Sequence, residues 1–179
     1  MVGTGVNPID DDRVGPGPSV VLRDGDEASG MANMIAGLLE DNLRDFPGRA
    51  RVAARARGSI VLTASDRDLS ITVSFGRGGV EIADGAAPGA PVMAGPWLTM
   101  SRVCSGRISP VKAIADRELK VTPGRSILVV PAAGYVLSVP ASFYGDTEAI
   151  KKQRLTAAAV IAVVVLVVIA VVIASQRGN

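Results

Sequence analysis

Few side chains in this sequence could carry out catalysis or bind a metal ion. The 179 residues contain no histidine and only one cysteine. Histidine is the commonest general base and metal ligand, and zinc sites are built from clusters of cysteine and histidine. No pair of carboxylates stands in a recognisable catalytic context. We therefore predict that the protein is not an enzyme, and that it has no catalytic residues, no metal site and no cofactor.

The single cysteine, Cys104, has two interpretations. It could be a functional thiol, but a cysteine is more often a small buried hydrophobic residue, and we favour that second role. One cysteine cannot form an internal disulfide, which agrees with a reducing compartment.

A second group of side chains with a regular spacing consists of arginines. From Arg49 to Leu62 the arginines alternate with alanine and valine, which predicts a half-buried strand with an arginine-lined outer face. This face could simply be solvated, or it could face phospholipid headgroups. The predicted membrane-surface residues are these arginines and three basic residues near the C-terminus: Arg49, Arg51, Arg55, Arg57, Lys151, Lys152 and Arg154.

The charges are unevenly distributed along the chain. Residues 1–48 carry nine acidic and three basic side chains, whereas residues 49–179 carry eight acidic and sixteen basic ones. A basic body held beside an anionic leaflet is expected to contact lipid headgroups. Aromatic residues make up 3% of the chain, so platforms for stacking nucleic-acid bases are scarce and we expect no nucleic-acid partner.

The element that positions this body is an uncharged apolar stretch at residues 155–175. As a helix it would be roughly 31 Å long, about the thickness of the hydrocarbon core of a bilayer. A buried core helix or a central strand is the alternative, but neither is usually apolar on all sides for this length. Lys151, Lys152 and Arg154 precede the stretch, and only Arg177 follows it, which predicts a cytoplasmic N-terminal part. Because the first residues lack a secretory signal, we expect a tail-anchored, single-pass protein of the inner (plasma) membrane.

The composition divides the chain into five parts. Residues 1–27, rich in Gly, Pro and Asp, are predicted to be disordered, although Val20 to Leu22 could dock as an edge strand. The folded domain is expected over residues 28–140. It is followed by a basic linker at residues 141–154, the membrane helix at 155–175 and a short tail at 176–179.

Within the predicted domain, periodicity distinguishes helices from strands. Apolar residues three and four apart predict an amphipathic helix over residues 30–46. Alternation predicts strands at 69–75, 80–83, 92–94 and 118–122. Pro96 and Pro110 open two further helices, the second capped by Ser109. Residues 126–139 fit either a helix with Pro131 near its start or two short strands, and we favour the helix.

Six short segments resemble the sterol-carrier-protein-like (type two) domain. They are GVEI at 79–82, APV at 90–92, GPWL at 95–98, SGR at 105–107, SP at 109–110 and RELKVTPG at 117–124. The resemblance extends over residues 30–139. Two departures affect the last strand turn and the ligand pocket: Arg117-Glu118 stands where the family often has a glycine, and Pro123-Gly124 replaces a single glycine.

The resemblance implies an α/β (α+β) fold with a largely antiparallel sheet of about five strands, helices on one face, and an apolar tunnel between them. Such a tunnel would bind a sterol, an acyl chain or a phospholipid without covalent chemistry. The same side chains would equally suit a filled core. Those whose periodicity fits the lining are Ile71, Val73, Phe75, Trp97, Met100, Val103 and Ile114.

Membrane-anchored actinobacterial members of this family, to which the chain is similar, include some associated with lipid importers of the mammalian-cell-entry (Mce) type. These importers are driven by an ABC-type ATPase. The expected function is therefore that of a membrane-tethered cytoplasmic module that binds lipid and assists its transport, with membrane lipids and a membrane-protein complex as partners. The alternative is a structural accessory subunit of such a transporter, with a filled core and no bound lipid.

Overall fold

The computed structural model of the protein describes residues 17–139. The predicted membrane helix at 155–175, its flanking linker and tail, and residues 1–16 lie outside the described residues. Within residues 17–139, no helix has the length and apolar character that crossing a membrane requires.

The core of the fold is one mixed sheet of six strands, one more than the five we expected. The strand order is β1-β4-β3-β2-β5-β6. Three of the five neighbouring pairs are antiparallel, while β1 with β4 and β2 with β5 are parallel. The strands are β1 (Ser19–Leu22), β2 (Gly58–Ala64), β3 (Leu69–Gly76), β4 (Gly79–Asp84), β5 (Val92–Gly95) and β6 (Lys120–Thr122).

Five α-helices accompany the sheet, and four of them confirm the sequence predictions. Ser29 caps α1 through a hydrogen bond from the amide of Ala32, and Ser109 caps α4 in the same way. The ambiguous segment before Val139 forms a helix. The helices are α1 (Gly30–Asp45), α2 (Pro47–Arg55), α3 (Trp97–Cys104), α4 (Pro110–Ala115) and α5 (Val129–Leu137).

The prediction of a strand starting at Arg49 was wrong for its first part, because residues Pro47–Arg55 form α2 and the strand β2 begins only at Gly58. Pro47 occupies the start of this helix, where a missing N–H costs nothing. Arg49 and Ala53, four residues apart, are buried, whereas Arg51 and Arg55 are exposed on the other side. Alanine and arginine are good helix formers, so a short Ala/Arg pattern that also fits a strand becomes a helix here.

The prediction of disorder over residues 1–27 fails for the part that the structure describes. Ser19–Leu22 forms β1, the edge strand that was the alternative for this segment, and it pairs in parallel with β4. A short 3-10 helix follows at Gly25–Glu27. The amide of Asp84 donates to the carboxylate of Asp24, which fastens this segment to the end of β4.

The sheet has one apolar face and one polar face. On the apolar face, alternate strand residues such as Ile60, Val73 and Ile82 are fully buried in a core shared with the helices, so the helices cover one face as predicted. On the other face, hydroxyl groups pair across strands: Ser59 with Ser74 at 2.9 Å, and Thr63 with Ser70 at 2.8 Å. Any apolar space between the sheet and the helices therefore lies on the helix-covered face.

Gly37 provides a test of the exposed side of α1. It lies inside the helix, is exposed, and an added Cβ would meet no atom within 4 Å. We expect Gly37→Ala to raise the free energy of unfolding by about 0.5–1 kcal/mol, because alanine has less backbone freedom to lose on folding. Urea denaturation followed by the fluorescence of the single tryptophan would measure this, and an unchanged or lower midpoint would contradict it.

Candidate functional site

The candidate site is an apolar cavity between the sheet and helices α3, α4 and α5. Its volume is about 20 Å³. The strands contribute Leu62 and Met93, α3 contributes Met100 and Val103, and α5 contributes Leu137. A space of this size holds about one water molecule and is far smaller than an acyl chain. The interior at this place is therefore nearly closed in the structure.

Of the seven predicted lipid-binding residues, Met100 and Val103 line this cavity. Ile71, Val73 and Phe75 are buried on β3, in the part of the core that packs against α1 and α2. They fill that part of the core and do not line the cavity.

Trp97 and Ile114 also lie away from the cavity lining. Trp97 is half-buried, with the guanidinium carbon of Arg67 4.9 Å from the centre of its ring. Ile114 was predicted to face inward, but it is 39% exposed. Its neighbour Ala113 takes the buried position on the short helix α4.

Other cavity residues were missed by the sequence reasoning, among them Met93, Leu119 and Gly134. Gly134 lies in α5 opposite Pro110 of α4, and a Cβ added to it would be 4.0 Å from the Cγ of Pro110. A glycine inside an otherwise apolar helix was the one local signal of this close approach between two helices. Met93 and Leu119 reach the cavity because of the way β5 and β6 pair, and the sequence around these two residues does not reveal that pairing.

Cys104 also lines the cavity and is buried, as predicted. Burial raises the pKa of its thiol to about 11, because the apolar surroundings disfavour the charged thiolate. The thiol therefore stays protonated and unreactive at neutral pH, and it can report on whether the cavity opens.

This pKa predicts a distinctive pH dependence of thiol labelling. With an uncharged alkylating reagent, we expect the labelling rate of Cys104 to keep rising about tenfold per pH unit through pH 10, because the thiolate fraction is still growing there. The labelling rate of a cysteine introduced at exposed position 54 should level off above the ordinary cysteine pKa of about 8.5. Mass spectrometry of timed reactions would compare the two sites. A plateau for Cys104 near pH 9 would contradict the prediction.

Arg49 was predicted to lie at a membrane surface, and the structure places it inside the protein with 2% exposure. Its Nε donates a hydrogen bond to the backbone oxygen of Ser138 at 3.0 Å. The guanidinium carbon lies 5.3 Å from the ring centre of Phe46 and 4.8 Å from that of Tyr135. Burial lowers the pKa of Arg49, and Tyr135 partly opposes this effect. The guanidinium nevertheless remains charged at neutral pH.

Asn42 is a second buried polar residue at the same place. Its Nδ2 donates to the backbone oxygen of Val136 at 2.9 Å. Asn42 and Arg49 thus satisfy carbonyl groups at the C-terminus of α5, where the helix has no partners of its own for them and where a cation is favoured. We call Asn42 and Arg49 the α5 clamp, because these two side chains from α1 and α2 hold the end of the helix that walls the cavity.

The other predicted surface arginines that lie in the described residues are exposed. Arg51 and Arg55 lie on α2, and Arg57 follows its end. The remaining predicted surface residues, Lys151, Lys152 and Arg154, are outside the described range. Residues 17–139 contain no group of three or more His, Cys, Asp or Glu side chains that could hold a metal ion.

No protein-family model matches the sequence, and no curated protein does. Solved structures similar to this chain include sterol carrier protein 2 (18% identity, TM-score 0.44), with 58% of this chain and 91% of the other covered. The ubiquinone synthesis protein UbiJ-SCP2 is 16% identical with a TM-score of 0.47, and 59% of this chain and 90% of the other are covered. Apo sterol carrier protein 2 from Yarrowia lipolytica is 14% identical with a TM-score of 0.43, and 60% and 89% are covered.

These are the kind of protein that the sequence resembles. Their TM-scores are all below 0.5.

Proposed function

We propose that the protein is a membrane-tethered module that binds a lipid chain between its sheet and helices α3, α4 and α5. The observation that supports this function is the cavity there, whose wall is formed by apolar side chains including Leu62, Met93 and Met100. An apolar cavity needs no charged group to accept an acyl chain or a sterol, because removal of the chain from water supplies the driving force.

Binding requires the cavity to widen, because about 20 Å³ cannot accommodate a lipid. The wall that can move is α4, a helix of six residues whose buried set consists of Ala113 alone. Pro110 at its start faces Gly134 of α5, so little side-chain interlocking holds the two helices together. Met93 and Met100 add flexible side chains that can change rotamer as the ligand enters.

The tether is the apolar stretch at residues 155–175. It would hold the domain beside the cytoplasmic leaflet, where the effective concentration of lipid is high and a ligand could be received or passed on without dissociation of the protein. Under this proposal the partners are membrane lipids and a membrane-protein complex that transports them, an ABC-type lipid importer being our specific expectation.

A photoreactive lipid tests the proposal on the full-length chain. The protein is placed in phospholipid nanodiscs that contain a diazirine-bearing fatty acid, irradiated and digested, and the crosslinked peptides are identified. We expect crosslinks on peptides that contain Met93, Met100 or Leu137. Gly134→Leu, which places a side chain in the cavity, should reduce these crosslinks at least fivefold. Gly37→Leu, at an exposed helical glycine with free space around it, is the matched control and should not reduce them. Crosslinks confined to residues 155–175 would refute lipid binding by the domain.

The small volume of the cavity favours a second candidate function, that of a structural accessory subunit with a filled core. In that case the span at residues 155–175 would pack against the helices of a transporter. Replacing this span with an unrelated one separates the two functions. A lipid-binding module keeps its crosslinks after the exchange, whereas a structural subunit is lost from the complex that is purified in mild detergent.

A further inference from the structure

One corner of the domain carries four exposed arginines, which we call the basic corner: Arg51, Arg55, Arg57 and Arg77. The side chain of Arg57 connects α2 to the β3–β4 hairpin, because its Nη1 donates to the backbone oxygen of Ala54 at 2.8 Å and to that of Gly76 at 3.3 Å. Arg51 and Arg55 lie one helical turn apart on the exposed side of α2. Arg77 is at the tip of the hairpin.

The positive charges of the basic corner have no acidic partners in the part of the chain that the structure describes. The ion pairs between residues 17 and 139 use Arg23, Arg44 and Lys112, and none uses an arginine of the corner. Like charges that are held close together and are not neutralised attract an anionic group.

The first strand of the fold begins beside the basic corner. Strand β1 runs parallel to β4 with Ser19 opposite Gly79, so β1 begins at the tip of the hairpin. The Oγ of Ser19 donates to the backbone oxygen of Gly78 at 2.9 Å, which holds the start of β1 against that tip.

A hollow of about 380 Å³ lies at the same place on the surface. Its lining includes Ser19, Ser74, Gly76, Gly78, Gly79 and Glu81, and Glu81 is paired with Arg23. The absence of side chains on the three glycines leaves room for a further segment of chain. None of the four arginines lines this hollow, so it supplies space beside the start of β1, while the arginines of α2 and of the hairpin tip supply the positive charge.

The sequence before Gly17 contains three consecutive aspartates, Asp10, Asp11 and Asp12. They precede Gly17 by five to seven residues, and an extended chain of that length spans roughly 17–24 Å. The aspartates can therefore reach the basic corner without strain. Individual exposed ion pairs are weak, but the covalent connection gives this segment an effective concentration on the order of millimolar.

We propose that the segment containing Asp10–Asp12 docks on the basic corner and covers its arginines. The docking depends on charge, so it weakens as salt shortens the Debye length to about 3 Å at 1 M. If the domain is tethered as proposed above, the same segment competes with anionic lipid headgroups for these arginines and controls how closely the domain approaches the leaflet. The docking itself does not depend on that proposed function.

Distances between two spin labels on the full-length chain, measured by double electron–electron resonance, test the docking. Spin labels are attached at neutral pH, where the buried Cys104 thiol stays protonated and unreactive, to Asn7→Cys, before the aspartates, and to Ala54→Cys, on the exposed side of α2. In nanodiscs of neutral phospholipid we expect a narrow distance distribution centred below about 25 Å. It should broaden and lengthen at 1 M salt and in the variant with all three aspartates changed to asparagine.

A matched control has the same change in net charge at acidic positions away from the corner: Asp26→Asn, Glu40→Gln and Asp68→Asn. This variant should keep the narrow distribution. A broad distribution in the unmodified chain, or a narrow one that survives the change of all three aspartates, would overturn the proposal. In nanodiscs with anionic lipid, loss of the short distance supports competition for the same arginines. The proposal fails if the distance distribution is broad in neutral and anionic lipid alike and anionic lipid broadens the spectrum of a label at position 54. In that case the basic corner binds lipid headgroups instead.

Discussion

The Arg49→Gln variant is expected to lose about 2–3 kcal/mol of the free energy of unfolding. Two contacts with aromatic rings and one hydrogen bond from a charged group are lost, and each is worth about 1–2 kcal/mol in a desolvated place. Part of this loss is offset, because the variant no longer buries a cation away from water. The neighbouring carbonyl of Ser138 retains only a longer contact of 3.5 Å with Asn42.

Urea denaturation of the full-length chain in mild detergent measures this loss through the fluorescence of Trp97, the single tryptophan. Arg51→Gln is the matched control, since Arg51 lies two residues along α2 and is exposed. We expect the control to change the free energy of unfolding by less than about 0.5 kcal/mol. Arg49→Lys should recover little stability, because an ammonium group does not present a planar surface to Phe46 and Tyr135. Equal midpoints for Arg49→Gln and Arg51→Gln would show that the α5 clamp does not stabilise the fold.

The second large effect is expected at Gly79, where Gly79→Ala should cost about 3 kcal/mol. Gly79 has a φ of +140°, a conformation that residues with a Cβ rarely adopt. A Cβ there would also overlap the backbone oxygen of Ser19 in β1. The overlap is relieved only if β1 leaves the sheet, which removes the partly buried Val20 and Leu22 from the core. The cost of undocking β1 therefore sets the upper limit of the effect.

Gly78→Ala is the control for this variant, since Gly78 is adjacent, has an ordinary φ and has no atom within 4 Å of an added Cβ. Hydrogen exchange measured by mass spectrometry should show faster exchange of the β1 amides and of the amide of Arg23, which immediately follows the strand and donates to the oxygen of Ile82. Trp97 fluorescence supplies the free energy of unfolding. Unchanged protection of β1 in Gly79→Ala would mean that β4 adjusts without releasing its neighbour.

Much of the secondary structure could be predicted because its signals are local. The apolar stripe of α1, with Met31, Ile35 and Leu39 on one side, repeats over 16 residues, and β3 alternates strictly over eight. Ser29 and Ser109 lie immediately before their helices and cap them. Pattern and capping residues agree at these places, so no distant contact was needed to decide the outcome.

The errors have a different cause. The stretch from Arg49 to Arg55 is short enough to fit a period of two or of 3.6. The helix propensity of its alanines and arginines, together with packing against α1 and α5, selects the helix. Strand β1 has four residues in a segment rich in glycine and proline. It forms a strand because it pairs with β4, about 60 residues away. Two of the seven predicted lining residues reach the cavity, because periodicity identifies a buried face without saying which part of the core it fills.

The sequence by itself determined that the protein has no histidine and therefore none of the chemistry of that side chain. It also determined the order of most helices and strands and which of their faces are apolar. These properties depend on residue types and on spacings of a few positions. Only the tertiary structure decided that Arg49 and Asn42 hold the end of α5, that Met93 and Cys104 share a small cavity, and that β1 begins beside the basic corner. Those contacts join residues far apart in the chain, and their formation depends on the packing of the whole domain.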